Sequence, residues 1–188
     1  MERTGLTMDK PTLEGEMIRL RPVRAADADA MWEMVQDHEG NRLTGTTAVF
    51  TRAEIDAWCA TILERDGRVD LAVTANRSDE YLGEIVLHQI DDVVSSANVR
   101  LVMRPAYRGR GYGTEALQLV LGLAFDGIGL HRVGLDVLSI NTRARALYES
   151  IGFRTEGRLR DAARDGERWC DVIVMGLLED EFRAAQLD

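Results

Sequence analysis

Apolar and polar positions alternate along some stretches of this chain and recur at helical spacing along others. In MIRLRPVR, residues 17–24, the alternation with arginines predicts a half-buried strand. AADADAMWEMVQD follows with apolar residues every three or four positions, which predicts a helix. The TRAE pattern from Thr51 is typical of a capping box and predicts the start of a second helix.

The middle of the chain shows three strand patterns and one crossover. DLAVTAN and YLGEIVLHQID, separated by a turn-prone segment, predict an antiparallel hairpin. SSANVRLVMRP predicts a further strand with Val99, Leu101 and Met103 on one face. From Gly113, TEALQLVLGLAF predicts a well-covered helix that leads into the strand HRVGLDVLSI. A strand, helix and strand in this order indicate a parallel pair.

The last part of the chain completes the predicted architecture. NTRARALYESIG predicts a short helix capped by Gly152, and FRTEGRL and RWCDVIVMGLL predict two strands joined by a polar loop, RDAARDGE. The predicted class is α+β, with a mostly antiparallel twisted sheet of about seven strands, about four flanking helices and one parallel crossover. We expect residues 1–15 to form a partly ordered arm and residues 16–188 a single domain.

Composition narrows the partners that this domain can have. The net charge of −9 argues against nucleic acid and against a membrane surface, because both attract basic proteins. Cys59 and Cys170 lie far apart and outside any CxxC pair, so we expect neither a disulfide nor a metal site. With no signal-like or membrane-spanning segment in view, a reducing, cytoplasmic location is expected.

One short turn reverses the acidic character of the chain. RPAYRGRGYGTEA, residues 104–116, combines three arginines with three glycines immediately before a predicted helix. Glycines free the backbone to approach a ligand, and the N–H groups at a helix start attract anions such as pyrophosphate. A Walker A loop is excluded because no lysine follows a glycine here, and the G-x-G-x-G spacing fits a dinucleotide fingerprint poorly.

The remaining pattern, R-x-x-G-x-G at Arg108, Gly111 and Gly113, resembles the acetyl-CoA loop of the GNAT superfamily of N-acetyltransferases. Further along, NTRARALYESIGF resembles the N-x-x-A-x-x-L-Y-x-x-x-G-F signature of the RimJ/RimL-like branch of that superfamily. EGRLRDAARDGERWCDVIVMGLL is similar to the closing hairpin of that branch. The resemblance is specific from about Val93 to Leu178.

This resemblance implies that acetyl-CoA donates an acetyl group to a primary amine by direct attack in a ternary complex. It implies that the backbone of Val102 and Met103 pairs with the pantetheine arm. It also implies that the segment from residue 108 to residue 114 holds the pyrophosphate: Arg108, Gly109, Arg110, Gly111, Tyr112, Gly113 and Thr114.

Tyr148 and Asn141 belong to the second signature. A phenol is protonated at neutral pH, so Tyr148 can act as general acid toward the departing thiolate. The alternative is an aromatic packing residue. Asn141 can cap the helix that follows it, contact the pantetheine as its family counterpart does, or do both.

The general base is less defined by sequence. Glu84 can deprotonate an ammonium directly or through water, or it can be a solvent-facing strand residue. His88 would share its strand face and allow a relay. Asn98 stands where many GNAT enzymes carry a glutamate, which puts a simple single-carboxylate mechanism in doubt. Arg100 stands where the family often has glycine, and it can narrow the cleft or bind an acidic substrate.

Two other functions stay open beside the enzyme. One is a non-catalytic acyl-CoA sensor that keeps the cofactor loop, and the other is a GNAT enzyme with a longer acyl donor. Trp32 and Trp58 either pack in the core or line the substrate cleft. The resemblance makes a homodimer a further expectation, and the acceptor amine is left unnamed.

Overall fold

The computed structural model describes residues 10–185, whose strands form one sheet. The eight strands of this part of the chain are β1 (Leu13–Glu14), β2 (Ile18–Pro22), β3 (Val69–Ala75), β4 (Tyr81–Asp91), β5 (Ser96–Met103), β6 (Arg132–Leu138), β7 (Arg154–Asp165) and β8 (Arg168–Leu178). Their order across the sheet is β1-β2-β3-β4-β5-β6-β8-β7. β5 and β6 run parallel, and the other neighbouring strands run antiparallel.

Helices cover both faces of this sheet. The described residues contain α1 (Ala28–Val35), α2 (His38–Thr44), α3 (Arg52–Thr61), α4 (Tyr112–Gly122), α5 (Thr142–Ile151) and α6 (Glu179–Ala185). α4 continues into a π-helical turn, Leu123–Ile128. One apolar cluster packs α4, α5 and α6 on one face of the sheet, and a second packs α1 and α3 on the other. The sheet is therefore the middle layer of three.

The main predictions from periodicity are confirmed. The fold is α+β with a mostly antiparallel sheet, and α4 connects the single parallel pair, β5 and β6. Thr51 caps α3, and its side chain and that of Glu54 exchange hydrogen bonds with each other's backbone N–H groups, as the TRAE pattern predicted. Gly152 ends α5 in the left-handed conformation.

Four features differ from the predicted layout. The segment RDAARDGE is not a loop, because β7 continues to Asp165 past a bulge at which Asp161 takes a φ of +53°. α2 and α6 were not predicted, since each has few apolar residues from which to recognise a helix. β1 pairs with β2 inside the predicted arm, and residues 1–9 of that arm lie outside the described part.

The parallel pair positions the site. β5 and β6 pair only from Ser96 to Asn98 on β5 and from Arg132 to Gly134 on β6. Beyond these residues β5 pairs only with β4, while β6 continues beside β8 to Leu138. The backbone of residues 101–103 on β5 therefore faces a gap in the sheet.

Candidate active site

A cleft of about 710 Å³ opens at this gap, and we call it the glycine-loop cleft. Its walls come from the end of β5, the segment after Pro105, the first turns of α4 and α5, and α2. Among the predicted cofactor residues, those that line it are Val102, Met103, Arg108, Gly109, Gly111, Gly113, Thr114, Asn141 and Tyr148. Two signatures 30 residues apart in the sequence thus meet in one cleft.

The loop before α4 has the backbone geometry that its glycines permit. Gly109 has a φ of +73° and Gly111, the residue before α4, a φ of +86°. Residues other than glycine rarely adopt such angles. The loop thus leads directly into the first turn of α4, where backbone N–H groups without helical partners and the helix dipole favour an anion.

The guanidinium groups of both loop arginines, Arg108 and Arg110, contact other parts of the protein. The guanidinium of Arg108 forms an ion pair with Asp37 and donates to the Met103 carbonyl at 2.9 Å. Arg110 is exposed and lies 6.0 Å above the ring of Tyr107. Tyr112, on the first turn of α4, packs against the core. Arg110 and Tyr112 therefore lie outside the cleft lining among the described residues.

Arg143 is a cleft residue that sequence reasoning missed. It lies on the first turn of α5, and its guanidinium is so close to Gly109 that a Cβ there would approach Nη2 to 2.8 Å. Asn141 precedes it and caps α5 by accepting a hydrogen bond from the Ala144 N–H at 3.2 Å. The Asn141 amide also donates to the Leu43 carbonyl, which ties α2 to α5. The sequence signal that could have identified Arg143 is its position two residues after the capping Asn141.

Tyr148 lies at the inner end of the cleft. Its residue surface is 7% exposed, and its ring packs edge-on against Phe153 with centroids 5.8 Å apart. Burial raises the pKa of Tyr148 to about 12, so the phenol keeps its proton at neutral pH. Packing and a proton-donating role are compatible at this position.

A second cavity of about 620 Å³ lies beside the first, and we call it the Glu84 cavity. Side chains from α1, α3, β4 and β5 form its walls. Thr44 and Val102 line both this cavity and the glycine-loop cleft. Val102 therefore stands between a cleft suited to an anion and a cavity that contains a carboxylate.

Glu84 is buried in this cavity, with a side chain that is only 5% exposed. No donor in residues 10–185 reaches its Oε1 atom, while Oε2 lies 3.5 Å from Nη2 of Arg100. Burial raises the pKa of Glu84 above its ordinary value, although the positive charge of Arg100 opposes this effect. The solvent-facing alternative for Glu84 is wrong.

His88 shares the cavity with Glu84, as the strand period predicted, and Arg100 of β5 lines it too. Burial and then the charge of Arg100 lower the pKa of His88, which favours the neutral imidazole. Asn98 is paired with His88 across the strands and donates to the Gln89 side chain. Of the two tryptophans, Trp58 lines the cavity, whereas Trp32 packs against the second apolar cluster.

Two features of the described residues bear on the expected partners. Within residues 10–185, no group of three or more histidine, cysteine or acidic side chains is arranged to hold a metal ion. The helices of the same segment include none that is long and apolar enough to cross a membrane. Cys59 and Cys170 are both free and buried.

Comparison with known proteins agrees with this geometry. The family model for the acetyltransferase (GNAT) domain matches residues 18–154, most of the described chain. The chain belongs to this family, and it is an acyltransferase.

Individual relatives have low sequence identity to this chain, and their matches cover from about half to nearly all of it. N-acetyltransferase p20 of Bacillus licheniformis, itself uncharacterized, is 26% identical over 174 residues, which is 91% of this chain and 98% of that protein. A spermidine N(1)-acetyltransferase of Vibrio cholerae is 27% identical over 110 residues, covering 58% and 64%. The structure of a Vibrio cholerae spermidine N-acetyltransferase with CoA and spermine superposes with a TM-score of 0.82 at 20% identity, over 90% and 99%. This last likeness concerns the fold.

Proposed function

We propose that this protein transfers an acetyl group from acetyl-CoA to a primary amine by direct attack within a ternary complex. The observation that carries the proposal is the junction of the two cavities at Thr44 and Val102. A donor in the glycine-loop cleft and an amine in the Glu84 cavity would meet beside one strand end. Such proximity removes much of the entropic cost of a two-substrate reaction.

The glycine-loop cleft fits the donor. The backbone N–H groups of residues 109–114 and the guanidinium of Arg143 would hold the pyrophosphate. The open backbone of residues 101–103 would pair with the pantetheine arm, and Asn141 would border it. Because Asp37 already pairs with Arg108, we assign Arg108 to positioning the loop and give the anion contact to Arg143. Bound acetyl-CoA supplies an activated thioester.

Glu84 is the group that would accept the proton of the amine. It is the buried carboxylate of the cavity, one of its oxygens has no donor in the described chain, and its raised pKa brings it nearer to neutrality. The nitrogen lone pair then forms the bond to the acetyl carbon while the carbon–sulfur bond breaks. Neutral His88, on the same strand face, is placed to relay the proton outward.

Tyr148 would protonate the departing sulfur. Its phenol borders the glycine-loop cleft and retains its proton because burial raises its pKa. Tyr148 would thus act as the acid, whereas Glu84 would act as the base. The proton lost by the amine and the proton gained by the thiolate thus pass through different side chains. This separation fits the two-cavity arrangement.

The second signature supports a more specific assignment within the GNAT family. Asn141, Ala144, Leu147, Tyr148 and Gly152 support membership of the RimJ/RimL-like branch, and all but Gly152 border the cleft. A polyamine acceptor, as in the spermidine acetyltransferases to which the chain is similar, is one candidate class beside protein N-termini, amino acids and antibiotics. A cytoplasmic location, a single domain over residues 16–188 and a homodimer stay predictions.

The decisive experiment measures release of CoA thiol from acetyl-CoA over a panel of primary amines. We expect amine-dependent release that is lost in Glu84→Gln. Binding of acetyl-CoA with no release over the whole panel would favour the non-catalytic sensor. Faster release from propionyl- or succinyl-CoA than from acetyl-CoA would favour the enzyme with a longer acyl donor.

A further inference from the structure

Charged side chains of both signs line the Glu84 cavity. Three arginines line the cavity, Arg65, Arg68 and Arg100, together with Glu54 and Glu84. The chain as a whole has a net charge of −9, whereas arginines are the more numerous charged residues in this lining. A low-dielectric cavity strengthens such charges relative to the open surface.

Two of these five charged groups already have hydrogen-bond partners. Arg68 donates from Nε and Nη2 to the buried carboxylate of Asp70, at 2.8 and 2.6 Å. Glu54 accepts from the N–H and the hydroxyl of Thr51 at the start of α3. Arg68 is therefore not free to pair with a ligand charge, whereas Glu54 keeps its negative charge because its partners at Thr51 are neutral.

Arg100 and Arg65 are less fully paired than Arg68. Within residues 10–185, the one carboxylate within ion-pair distance of Arg100 is Glu84, through a single 3.5 Å contact, and the Arg100 side chain is 51% exposed. Arg65 stacks on Trp58 at 4.5 Å, and no carboxylate of the described residues lies within 4.0 Å of its guanidinium. The cavity thus offers a carboxylate with an unused oxygen directly beside a guanidinium with unused donors.

Apolar side chains form the rest of the wall. They come from α1, α3 and the segment between α2 and α3: Met31, Met34, Val35, Phe50, Ile55 and Trp58. A ligand that satisfies the cavity therefore carries an amine for Glu84, an anionic group close to that amine for Arg100, and an apolar remainder.

We propose that the acceptor is a free α-amino acid with an apolar or aromatic side chain, bound with its amine at Glu84 and its carboxylate at Arg100. The proposal rests on the proposed acetyltransferase function and names its substrate class. A bidentate contact between a carboxylate and a guanidinium is both strong and directional. It orients the neighbouring amine toward Val102, where the two cavities join.

A polyamine fits the same cavity poorly. After one amine reaches Glu84, the further ammonium groups of a polyamine meet the guanidinium groups of Arg65 and Arg100, and Glu54 is the other carboxylate of the described lining. Unpaired like charges in a partly buried site cost binding energy. Discrimination against polyamines follows from the same arginine that recognises the amino acid.

The test compares pairs of acceptors that differ only in the carboxylate, with CoA thiol release as the readout. The pairs are L-phenylalanine with phenethylamine and L-leucine with isoamylamine, and spermidine is added as the cationic probe. We expect kcat/KM to be roughly tenfold or more higher for each amino acid than for its amine. Arg100→Gln should abolish this ratio, while Arg77→Gln, at an exposed turn position, should preserve it.

A binding readout separates this proposal from the proposed function. In the presence of CoA, L-phenylalanine should raise the melting temperature of the wild type but not of Arg100→Gln. Turnover of phenethylamine or spermidine equal to or better than that of the amino acids overturns the amino acid assignment and leaves the acetyltransferase intact. Absence of turnover with every amine, together with absence of acetyl-CoA binding, overturns the proposed function itself.

Discussion

Asp37, the residue before α2, forms an ion pair with Arg108, the residue before Gly109 in the glycine loop. The two residues are 71 positions apart, and the same guanidinium holds the carbonyl of Met103 at the end of β5. One arginine thus connects α2, β5 and the glycine loop. Its charge holds the loop in place and is not left free for a ligand.

Replacing Asp37 tests this positioning role. In Asp37→Asn the Arg108 guanidinium loses its carboxylate, so we expect a several-fold rise in KM for acetyl-CoA with a smaller change in kcat. The free energy of unfolding should fall by about 1–3 kcal/mol, because both side chains are mostly shielded from water. Asp56→Asn, which breaks a half-exposed pair with Arg52, is the matched control and should change neither quantity measurably. An unchanged KM in Asp37→Asn would contradict the role.

The backbone of Gly111 gives a second prediction. Gly111→Asp introduces a carboxylate beside the N–H groups that would hold pyrophosphate, and we expect acetyl-CoA binding measured by calorimetry to be lost. Gly129→Asp is the control, since Gly129 has a similar φ of +80° and open space around it. Both variants pay a strain of about 1–2 kcal/mol. Equal binding by the two variants would show that the loop does not hold the donor.

Arg143 should contribute a phosphate contact that its neighbour Arg145 does not. Both lie in the first half of α5, but Arg143 borders the cleft and Arg145 pairs with Glu149 on the exposed side. We expect Arg143→Gln to weaken acetyl-CoA binding roughly tenfold and to reduce its dependence on salt. Arg145→Gln should bind as the wild type does. If Arg145→Gln bound acetyl-CoA more weakly than Arg143→Gln, the phosphate contact would not belong to Arg143.

The fold could be predicted where apolar residues repeat with one period. α3 is of this kind, because it buries Ile55 and Cys59 on one side. β3 and β4 are buried on both faces and were predicted from two apolar runs on either side of a turn-prone segment. α2 has Leu43 as its one large apolar residue and is held by distant contacts, namely those of Asp37, Asn141 and Arg42. The outer half of β7 is exposed, so its polar sequence cannot be told from a loop.

The candidate site was predictable only in part, for the same reason. The motifs placed Gly111, Asn141 and Tyr148 in one cleft, because they lie at fixed distances along the chain. They carried no information on which carboxylate approaches which arginine. That Asp37 takes Arg108, and that Arg143 lies over Gly109, are consequences of how helices from three parts of the chain pack together.

Tyr148→Phe tests the general acid. The ring would keep its packing on Phe153, so we expect an unchanged melting temperature and unchanged acetyl-CoA binding. Loss of the hydroxyl should lower kcat roughly a hundredfold or more. Phe153→Leu disturbs the packing but keeps the phenol, and it should affect stability more than kcat. If Tyr148→Phe retained full kcat, proton donation would have to come from elsewhere.

Glu84 links activity and stability through one ionisation. The free base is the form that accepts a proton, so wild-type kcat/KM should rise with pH through a pKa above the ordinary range of a glutamate. Glu84→Gln should be slow and without this rise. Arg100→Gln removes the charge that opposes the shift, so the rise should move to higher pH.

The raised pKa of Glu84 has the opposite effect on stability, which falls with rising pH while activity increases. Because the pKa of Glu84 is raised by burial, the folded chain holds this proton more tightly than the unfolded chain, and the associated stability is present below the unfolded pKa. That stability is lost as pH rises through the folded pKa. Glu84→Gln cannot ionise, so its melting temperature should match the wild type below the unfolded pKa of a glutamate, about pH 4, exceed it increasingly as pH rises from there, and differ by a constant amount above the folded pKa. Glu167→Gln, at an exposed turn position, should follow the wild type throughout. Parallel curves for wild type and Glu84→Gln would mean that Glu84 does not titrate in this range and cannot gain or lose a catalytic proton there.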